Sequence, residues 1–387
     1  MIVAIDIRSL TAPHRTGVGV VAESLVRFMA AQSPHDTFIL FATGTSETLM
    51  NLPVFDAPNI VLAPLTIPNK LASMLWASPV GPTMERFLPQ APDVWLFPHA
   101  HLFKTRLPYV TIFHDAALRT VPECFTMKDH LRARITNEDA VFHRAKHVIA
   151  VSEHSKSDAA EYYRVPQERI TVAPLGVDHA VYVSREQPSD KSYRAAYDLN
   201  HPYLLALATR EPRKNLDSVI AAYSLFRKHS DSTIPLVLAG THGWKTHHIH
   251  RALASSAYRS DIHEIGYIPE KHKAALYRGA TAFIFPSLYE GFGLPVLEAM
   301  ACGTPVVTST TSALPSLVGN AAILVDPLNV TDIQHALHQL VDEPHGSKLR
   351  SVLRSRGIER AKEYSWKKTA AITLQTLRDI KNRQSST

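Results

Sequence analysis

Short apolar runs alternate with amphipathic stretches along the whole chain, a pattern typical of repeated strand–helix units and parallel sheets. Six runs in the first half predict buried strands, at Ile2–Ile7, Phe38–Ala42, Ile60–Ala63, Val94–Phe97, Tyr109–Phe113 and Val148–Val151. Six more follow in the second half, at Tyr203–Ala208, Leu236–Ala239, Ile262–Ile265, Ala282–Phe285, Pro305–Thr308 and Ile323–Val325. The pattern predicts an α/β protein with two doubly wound, Rossmann-like sheets.

The segment Val181–Asp198 separates the two sets of strands. It is rich in Ser, Gln, Pro and charged residues and has no apolar period, so it is predicted to be a linker. The expected domains are therefore 1–180 and 199–364, joined by 181–198, with a helix at 365–381 that packs back on the first domain. Open parallel sheets bind ligands at the carboxyl ends of their strands, so a deep cleft between the two domains is expected.

Length and composition fit a two-domain cytoplasmic enzyme. The chain has 387 residues, 45% hydrophobic and 20% charged. No apolar run is long enough to span a bilayer, and Asp6 and Arg8 interrupt the first strand, so no signal peptide is expected. Cys124 and Cys302 are far apart in sequence and form neither a disulfide framework nor a zinc pattern.

The formal net charge of +6 is unevenly distributed. Residues 1–178 carry 16 Lys/Arg against 17 Asp/Glu, and the remainder carries 25 against 18. A basic second half suits an anionic ligand, although lysines on solvated helices give the same count. No basic run is interleaved with aromatic residues, so a nucleic-acid partner is not predicted. Peripheral contact with the inner face of an anionic membrane stays open.

The most informative segment reads FPSLYEGFGLPVLEAMACGTP and begins at Phe285. It predicts a strand, a glycine-punctuated turn and a helix with Pro295 in its first turn. Backbone N–H groups from Gly291 to Val296 would then gather at the helix N-terminus, where an anion is favoured. Glu290 and Glu298 flank this turn and are suited to sugar hydroxyls. Phosphate and sugar together indicate a nucleotide-sugar.

Other strand ends carry weaker signals. Arg213 and Lys214 follow a strand and would meet a diphosphate, or else form a solvated turn that pairs with Glu211. A histidine at a strand end, His114, could donate a hydrogen bond or exchange a proton. The remaining candidates read equally well as plain turns: they are Gly17 and Gly19 before a helix predicted at Val20–Ala31, Gly240 after a strand, and Tyr267 in the run Gly266–Pro269.

Taken together, these motifs resemble the retaining, nucleotide-sugar-dependent glycosyltransferases of family 4, which have the GT-B architecture. The resemblance covers nearly the whole chain, and it is strongest for bacterial mannosyltransferases that build O-antigen or capsule chains. The motifs that carry it are Ile5–Arg8, Thr16–Gly19, Phe113–Asp115, Val151–Ser155, Pro174–Asp178, Thr209–Asn215, Gly240–Lys245, Gly266–Pro269 and Glu290–Glu298.

The resemblance implies a role for each position. Arg213 and Lys214 would stabilise the departing diphosphate in place of a metal, and Glu290 would contact the donor sugar. His114 would lie on the sugar near the transferred carbon, and Glu298 would hold the ribose hydroxyls. The other implied donor-binding residues are Gly291, Phe292, Gly293, Leu294, Gly17, Gly19, Gly240 and Tyr267.

The resemblance also implies a reaction, which transfers a hexose to a glycan or lipid-linked oligosaccharide acceptor with retained configuration. Mannose from GDP-mannose is the expected donor, and no cofactor or metal is expected. The chain departs from the family at Ala208, where Gly is common, and at Val20 and Val21, where an Arg-Tyr pair is common. Two alternatives are a nucleotide-sugar 2-epimerase of the same architecture and a non-catalytic partner subunit.

Overall fold

The computed structural model describes residues 1–78 and 80–385, which form two compact units. The first unit contains residues 1–116, 131–176 and the chain from 366 onward. The second contains residues 117–130 and 177–365. Segment 117–130 thus groups with the second unit, although its place in the sequence put it in the predicted first domain.

The first unit is built on a parallel sheet of seven strands in the order β3-β2-β1-β4-β5-β6-β7. The strands are β1 Ile2–Asp6, β2 Thr37–Thr43, β3 Ile60–Leu65, β4 Val94–Phe97, β5 Tyr109–Phe113, β6 His147–Ala150 and β7 Ile170–Val172. β4 and β5 are buried throughout, as expected of sheets covered on both faces.

The second unit is built on a parallel sheet of six strands in the order β10-β9-β8-β11-β12-β13. The strands are β8 Tyr203–Leu207, β9 Leu236–Ala239, β10 Ile262–Gly266, β11 Ala280–Phe285, β12 Val306–Ser309 and β13 Ile323–Val325. The two sheets confirm the predicted α/β fold class with two Rossmann-like units.

Helices connect the strands in both units. They are α1 Gly17–Gln32, α2 Ser46–Leu49, α3 Asn69–Ala77, α4 Ala117–Thr120, α5 Met127–Thr136, α6 Glu138–Arg144, α7 Glu153–Tyr163, α8 Asp190–Ala195, α9 Leu216–His229, α10 His247–Ser255, α11 Glu270–Gly279, α12 Leu294–Ala301, α13 Leu314–Val318, α14 Val330–Val341, α15 His345–Ala361 and α16 Trp366–Ser385. Of the helices in the described ranges, none has the length and apolar character that crossing a bilayer requires.

All twelve predicted strands are confirmed, with ends that differ by at most two residues. A thirteenth strand in the described chain, β7, escaped the sequence pattern because Thr171 interrupts its apolar residues and it follows directly on a 3-10 turn at Gln167–Arg169. Helix α1 was predicted from Val20, and this start was wrong. It begins at Gly17 because the Thr16 hydroxyl accepts a hydrogen bond from the Gly19 N–H at 3.3 Å and caps the helix.

The segment predicted as a linker, 181–198, contains helix α8 and groups with the second unit. Its fully buried Asp190 forms a bidentate ion pair with Arg278 of α11, at 2.6 Å for both contacts. Such a two-point Arg–carboxylate pair fixes orientation as well as position. The charged residues that suggested a solvated linker therefore include one that anchors it.

Candidate active site

The topology of the second sheet selects one edge as a ligand site. β8 lies between β9 and β11, and the chain leaves β8 toward β9 on one side but leaves β11 toward β12 on the other. The strand order therefore reverses between β8 and β11. In open parallel sheets, ligands bind at the carboxyl ends of the strands at this kind of reversal. The turns after these two strands carry Arg213, Lys214 and Glu290.

These three side chains are in direct contact. The Lys214 Nζ lies 2.5 Å from Oε1 of Glu290, and the Arg213 Nη1 lies 3.0 Å from its Oε2. Burial alone would raise the pKa of Glu290, but Lys214 and Arg213 beside it lower that pKa to about 2. The structure thus brings together the sequence-predicted residues of two strand ends that are 76 positions apart.

Glu211 is a second partner of Arg213. Its side chain is 4% exposed, and its Oε1 accepts a hydrogen bond from the Arg213 Nη2 at 2.7 Å. The guanidinium is therefore held between two carboxylates, Glu211 and Glu290. The sequence allowed Arg213 to pair with Glu211 in a solvated turn, whereas the structure shows this ion pair with the Glu211 side chain buried.

Backbone contacts hold the two turns against each other. Arg213 donates from Nη1 to the carbonyl of Tyr289 at 2.9 Å, and the Leu288 N–H donates to the carbonyl of Arg213 at 2.8 Å. The Glu290 N–H in turn donates to the Ser312 hydroxyl at 2.9 Å. The positions of the two cations and of Glu290 are therefore fixed by main-chain hydrogen bonds, a rigid arrangement that suits a preorganised site.

Glu298 is buried separately from this cluster, on α12. It is 5% exposed, and its Oε2 accepts a hydrogen bond from the Tyr277 hydroxyl at 3.0 Å. Burial raises the pKa of Glu298, and the neighbouring Lys273 ammonium acts in the opposite direction. Sequence reasoning missed Lys273 and Tyr277, because both lie within the ordinary amphipathic pattern of α11 and carry no motif.

The N-terminus of α12 differs in two ways from the predicted phosphate cradle. Gly293 has φ +107°, and a Cβ there would lie 2.7 Å from the Leu314 side chain. This glycine therefore relieves packing against α13, a role that the sequence did not indicate. The Val296 N–H donates to the Gly293 carbonyl at 3.0 Å, so Val296 does not belong to the set of free N–H groups.

The other predicted residues of this turn are largely enclosed. Gly291 and Phe292 are buried and Leu294 is half-buried at the first position of α12. The Phe292 ring packs edge-on against Tyr364, with 5.8 Å between ring centroids. The Phe292 side chain thus serves the packing of the second unit, and any contribution to a ligand comes from its backbone.

Two further predicted residues lie on the other side of β8. Gly240 follows β9 with φ +127°, and a Cβ there would collide with the carbonyl of Ala208. Its N–H donates to the Gly266 carbonyl at 2.7 Å, so its backbone joins neighbouring strand ends. Tyr267 follows β10 and lies close enough to Lys273, the neighbour of Glu298, to affect the pKa of its ammonium group. Both residues thus lie at the carboxyl edge of the same sheet.

In the first unit, His114 follows β5 and is half-buried. Its Nε2 lies 2.6 Å from the Pro98 carbonyl, and burial lowers its pKa. Gly17 and Gly19 lie in the first turn of α1, where the Gly19 N–H is already used by Thr16. A Cβ at Gly17 would meet no atom within 4 Å, so its surroundings are open.

Sequence reasoning missed a charged cluster at the carboxyl edge of the first sheet. The order of these strands reverses between β1 and β4, and Asp6, Arg8 and His101 meet there. Asp6 is fully buried, with 2.7 Å between its Oδ2 and the Arg8 Nη2 and 3.1 Å to the His101 Nε2. Burial alone would raise the pKa of Asp6, but Arg8 and His101 hold it well below its usual range. Asp6 and Arg8 belong to one of the motifs quoted above, but their partner His101 carried no signal.

The site in the second unit offers two cations to an anionic ligand and two buried carboxylates to hydroxyl groups. Cations placed beside a leaving phosphate stabilise the charge that develops there. Within residues 1–78 and 80–385, no three His, Cys, Asp or Glu side chains are grouped as a metal site would need. The two cations and two carboxylates can stabilise charge and form hydrogen bonds at a phosphorylated, hydroxylated ligand.

Comparison with solved structures identifies the fold. Sucrose-phosphate synthase of Thermosynechococcus elongatus superposes with a TM-score of 0.78 at 18% identity, over 98% of each chain. HepE of Anabaena, solved in complex with UDP-glucose, gives a TM-score of 0.69 at 17% identity, over 97% of this chain and 100% of that one. The two Rossmann-like units therefore have the GT-B fold.

Comparison of sequences identifies the family. The model of the glycosyl transferases group 1 matches residues 190–360, and that of Glycosyltransferase Family 4 matches residues 15–181. O-antigen chain mannosyltransferase B of Escherichia coli is 34% identical over 270 residues, which are 68% of each protein. The MMP alpha-(1->4)-mannosyltransferase of Mycolicibacterium hassiacum is 33% identical over 232 residues, 59% of this chain and 52% of that protein. The chain is thus a glycosyltransferase and belongs to family 4, the group 1 glycosyltransferases.

Proposed function

We propose that this enzyme transfers mannose from GDP-mannose to a hydroxyl group of a glycan or lipid-linked oligosaccharide, with retained anomeric configuration and without a metal ion. The observation that carries the proposal is the contact of Arg213 and Lys214 with Glu290 at the strand-order reversal of the second sheet. Two cations and a carboxylate at this position match the needs of a sugar diphosphate.

The proposed chemistry uses the cluster as follows. The diphosphate oxygens of the donor approach Lys214 and Arg213, whose positive charges stabilise the negative charge that grows as the sugar–phosphate bond breaks. Glu290 then shares its cations with the diphosphate and accepts hydrogen bonds from the sugar hydroxyls. Because two protein cations supply the neutralising charge, the reaction is expected to proceed in the presence of a chelator.

The proposed roles of Glu298 and His114 lie at the two ends of the donor. Glu298 accepts hydrogen bonds from the ribose hydroxyls through its buried carboxylate. His114 accepts a hydrogen bond from a sugar hydroxyl. The Nε2 of His114 is close to the Pro98 carbonyl, so the proton on Nε2 is engaged there and Nδ1 remains for other contacts.

The sugar and the acceptor are inferred from the relatives. Both curated proteins compared above are mannosyltransferases by name, and one of them acts on the O-antigen chain. Mannose and a growing lipid-linked glycan are therefore the substrates we propose. Such an acceptor resides on a membrane, so we also propose that the enzyme works at the inner membrane face through peripheral contact.

A donor screen tests the proposal. Thermal unfolding is followed with GDP, UDP, ADP and their sugar conjugates in the presence of EDTA, and the configuration of any product is assigned by NMR. A ligand at a hundred times its dissociation constant stabilises the fold by about 2.7 kcal/mol, which raises the unfolding midpoint. We expect GDP-mannose to give the largest shift and an α-linked product, because the donor sugar is itself α-linked.

Lys214→Met tests one of the two cations in this screen. Because it also removes an ion pair with the buried Glu290, its thermal unfolding is measured alongside transfer. It removes the charge but keeps an unbranched side chain, and transfer is expected to fall about a hundred- to a thousandfold. Lys348→Met on the exposed surface of α15 is the matched control and should transfer normally. Wild-type transfer by Lys214→Met would overturn the proposal, as would conversion of the nucleotide-sugar without an acceptor, which indicates an epimerase. No shift with any nucleotide would favour a non-catalytic subunit.

A further inference from the structure

Tyr182 belongs to the segment 181–198, which the sequence pattern predicted as a linker without any candidate residue. In the structure it is 8% exposed and lies beside Tyr277 of α11, with 6.4 Å between the two ring centroids. Its hydroxyl hydrogen-bonds with the Glu298 carboxylate and lies 3.5 Å from Oε2 of Glu270. A residue that carries no motif thus contacts the carboxylate for which we propose the ribose role.

Glu298 therefore has two phenol hydroxyls as neighbours. The Tyr277 hydroxyl donates to its Oε2 at 3.0 Å, and Tyr182 is the second donor. Burial, together with the nearby Glu298, raises the pKa of both tyrosines well above the ordinary value, so both hydroxyls stay protonated. A carboxylate held by two fixed donors keeps one orientation, and its remaining lone pairs are the ones that a ligand can use.

The backbone beside Tyr182 is fixed to the second unit by arginine side chains. Arg278 of α11 donates from Nη1 to the Val183 carbonyl at 3.0 Å, and Arg354 of α15 donates from Nη2 to the Ser184 carbonyl at 2.8 Å. All of these residues belong to the second unit. The position of the tyrosine is therefore set before any ligand arrives, as is expected of a residue that supports a binding site.

We propose that Tyr182 is a positioning residue for nucleotide binding, whose hydroxyl orients the Glu298 carboxylate toward the ribose hydroxyls. It acts through Glu298, and Tyr277 shares this task. The ligand class that it serves is a ribonucleotide, because only a ribose presents two neighbouring hydroxyl groups to one carboxylate. The inference rests on the ribose role proposed above for Glu298.

The other charges around Glu298 make the tyrosine hydroxyls important. The titratable groups near Glu298 lie on α11, at the end of α12 and in the segment before α8, and they are Glu270, Lys273, Tyr277, Cys302 and Tyr182. The cation among them, Lys273, also pairs with Glu270, with 2.5 Å between Nζ and Oε1. Burial raises the pKa of Glu298 and Glu270 adds to this, whereas Lys273 and the two hydroxyls lower it. Loss of the Tyr182 hydroxyl should therefore raise the pKa of Glu298 further.

Calorimetric titration of Tyr182→Phe with two nucleotides tests the inference. Phenylalanine keeps the ring and its packing but removes the hydroxyl. We expect GDP to bind about tenfold more weakly than to the wild type, the effect of one hydrogen bond to a charged group. Binding of 2′,3′-dideoxy-GDP should be unchanged, because that ligand has no ribose hydroxyls for Glu298 to hold. An equal loss for both nucleotides would show a purely structural role and overturn the inference, as would no loss for GDP.

Two further variants sharpen this comparison. Tyr223→Phe on α9 is the matched control, since Tyr223 is fully buried and its hydroxyl donates to the Ile234 carbonyl at 2.9 Å. It should bind both nucleotides as the wild type does. In a Glu298→Ala background, Tyr182→Phe should cause no further loss of GDP affinity, because no carboxylate remains to be oriented. A loss as large as in the wild-type background would contradict the proposed coupling.

Carbon-13 NMR titration of the Glu298 carboxyl gives a readout that needs no nucleotide. Its signal is assigned by its absence from Glu298→Ala. The pKa of Glu298 should be higher in Tyr182→Phe than in the wild type and unchanged in Tyr223→Phe. An unchanged pKa in Tyr182→Phe would overturn the inference.

Failure of the inference and failure of the proposed function have different signatures. If GDP binds and Tyr182→Phe loses GDP and its dideoxy analogue equally, the inference fails and the proposed function stands. If no nucleotide binds to the wild type, the proposed function fails and the nucleotide role of Tyr182 fails with it, whatever the NMR titration shows of its contact with Glu298.

Discussion

Glu290 shows how one residue links stability and function in the second unit. The residue is 7% exposed, and its carboxylate contacts both cations of the candidate site. Breaking a buried ion pair leaves an uncompensated charge, which typically costs about 3–5 kcal/mol. Any change at Glu290 therefore alters the two cations as well, and its effect on transfer has to be read alongside its effect on stability.

The low pKa of Glu290 predicts an acid-sensitive contribution to stability. The folded-state pKa is about 2 and the ordinary value is 4.5, so the ionised form is the one that folding favours. This contribution is fully present above pH 4.5 and is lost as the pH falls from 4.5 toward 2. Within that window, the free energy of unfolding should decline by up to about 1.4 kcal/mol per pH unit on account of this group.

Denaturant unfolding of the wild type and of Glu290→Gln across this window checks the prediction. The glutamine cannot ionise, so the stability difference between the two proteins should shrink as the pH falls. The fully buried Asp6 of the first unit has a similarly lowered pKa but is present in both proteins, so its titration cancels. A difference that stays constant with pH would show that Glu290 does not titrate in this way.

At the scale of elements, the turn between β11 and α12 depends on a conformation that only glycine adopts readily. Gly293 has φ +107° at the N-terminal cap of α12, and its missing side chain leaves room for Leu314 and Leu317 of α13. A side chain there would crowd α13 and strain the backbone together. The start of the helix that carries Glu298 is therefore set by packing as well as by hydrogen bonds.

Gly293→Ala is expected to destabilise the second unit by about 1–3 kcal/mol and to weaken nucleotide binding. A left-handed conformation costs a non-glycine residue about 1–2 kcal/mol, and the new methyl group would press on the Leu314 side chain, 2.7 Å away. Chemical unfolding and calorimetric titration with the nucleotide measure the two effects.

Gly319→Ala provides the control for this substitution. Gly319 also has a positive φ, +55°, but a Cβ there meets no atom within 4 Å and the residue is exposed after α13. It should lose stability through backbone strain while binding nucleotide normally. If Gly293→Ala also bound nucleotide normally, the conformation at the start of α12 would not be required for nucleotide binding.

Strands and helices with a clear apolar pattern were predicted well, whereas those whose formation depends on tertiary pairing or on a side-chain cap were not. Each strand with a run of at least three consecutive apolar residues and a clear break at both ends was found in the sequence. The short β7 and the first turn of α1 were missed, because β7 depends on pairing with β6 and the start of α1 depends on a hydroxyl cap at Thr16. Pairing and capping are contacts that a hydrophobic pattern does not report.

At the scale of the whole molecule, the end of the chain completes the first unit. Helix α16 packs on α1, and Arg378 donates from its Nη2 to Asp36 at 3.0 Å. The Leu377 side chain on the same helix is fully buried. The first unit therefore depends on residues that follow the second unit in sequence.

Leu377→Ala is expected to destabilise the first unit by about 2–5 kcal/mol, the usual cost of truncating a buried leucine. The second unit has a hydrophobic core of its own and should be unaffected. Hydrogen exchange followed by mass spectrometry should show faster exchange in β1 and β2 and no change in β8 and β9. Unchanged exchange in β1 would show that α16 is not required by the first unit.

Leu340→Ala is the reciprocal control, because Leu340 is fully buried in the core of the second unit, on α14. It should accelerate exchange in β8 and β9 and spare β1 and β2. If each substitution accelerated exchange throughout the chain, the two units would unfold as one cooperative block.

The fold class, the positions of twelve strands and the candidate residues at the strand ends could be predicted from the sequence alone. Apolar periodicity and turn residues are local properties, so they can be read along the chain. Which of these candidates contact one another depends on how the chain folds in three dimensions. Glu290 contacts Arg213 and Lys214 because β11 pairs with β8, and Glu298 is enclosed by Tyr277 because α12 lies beside α11. Such contacts follow from strand order and packing, which no single stretch of sequence encodes.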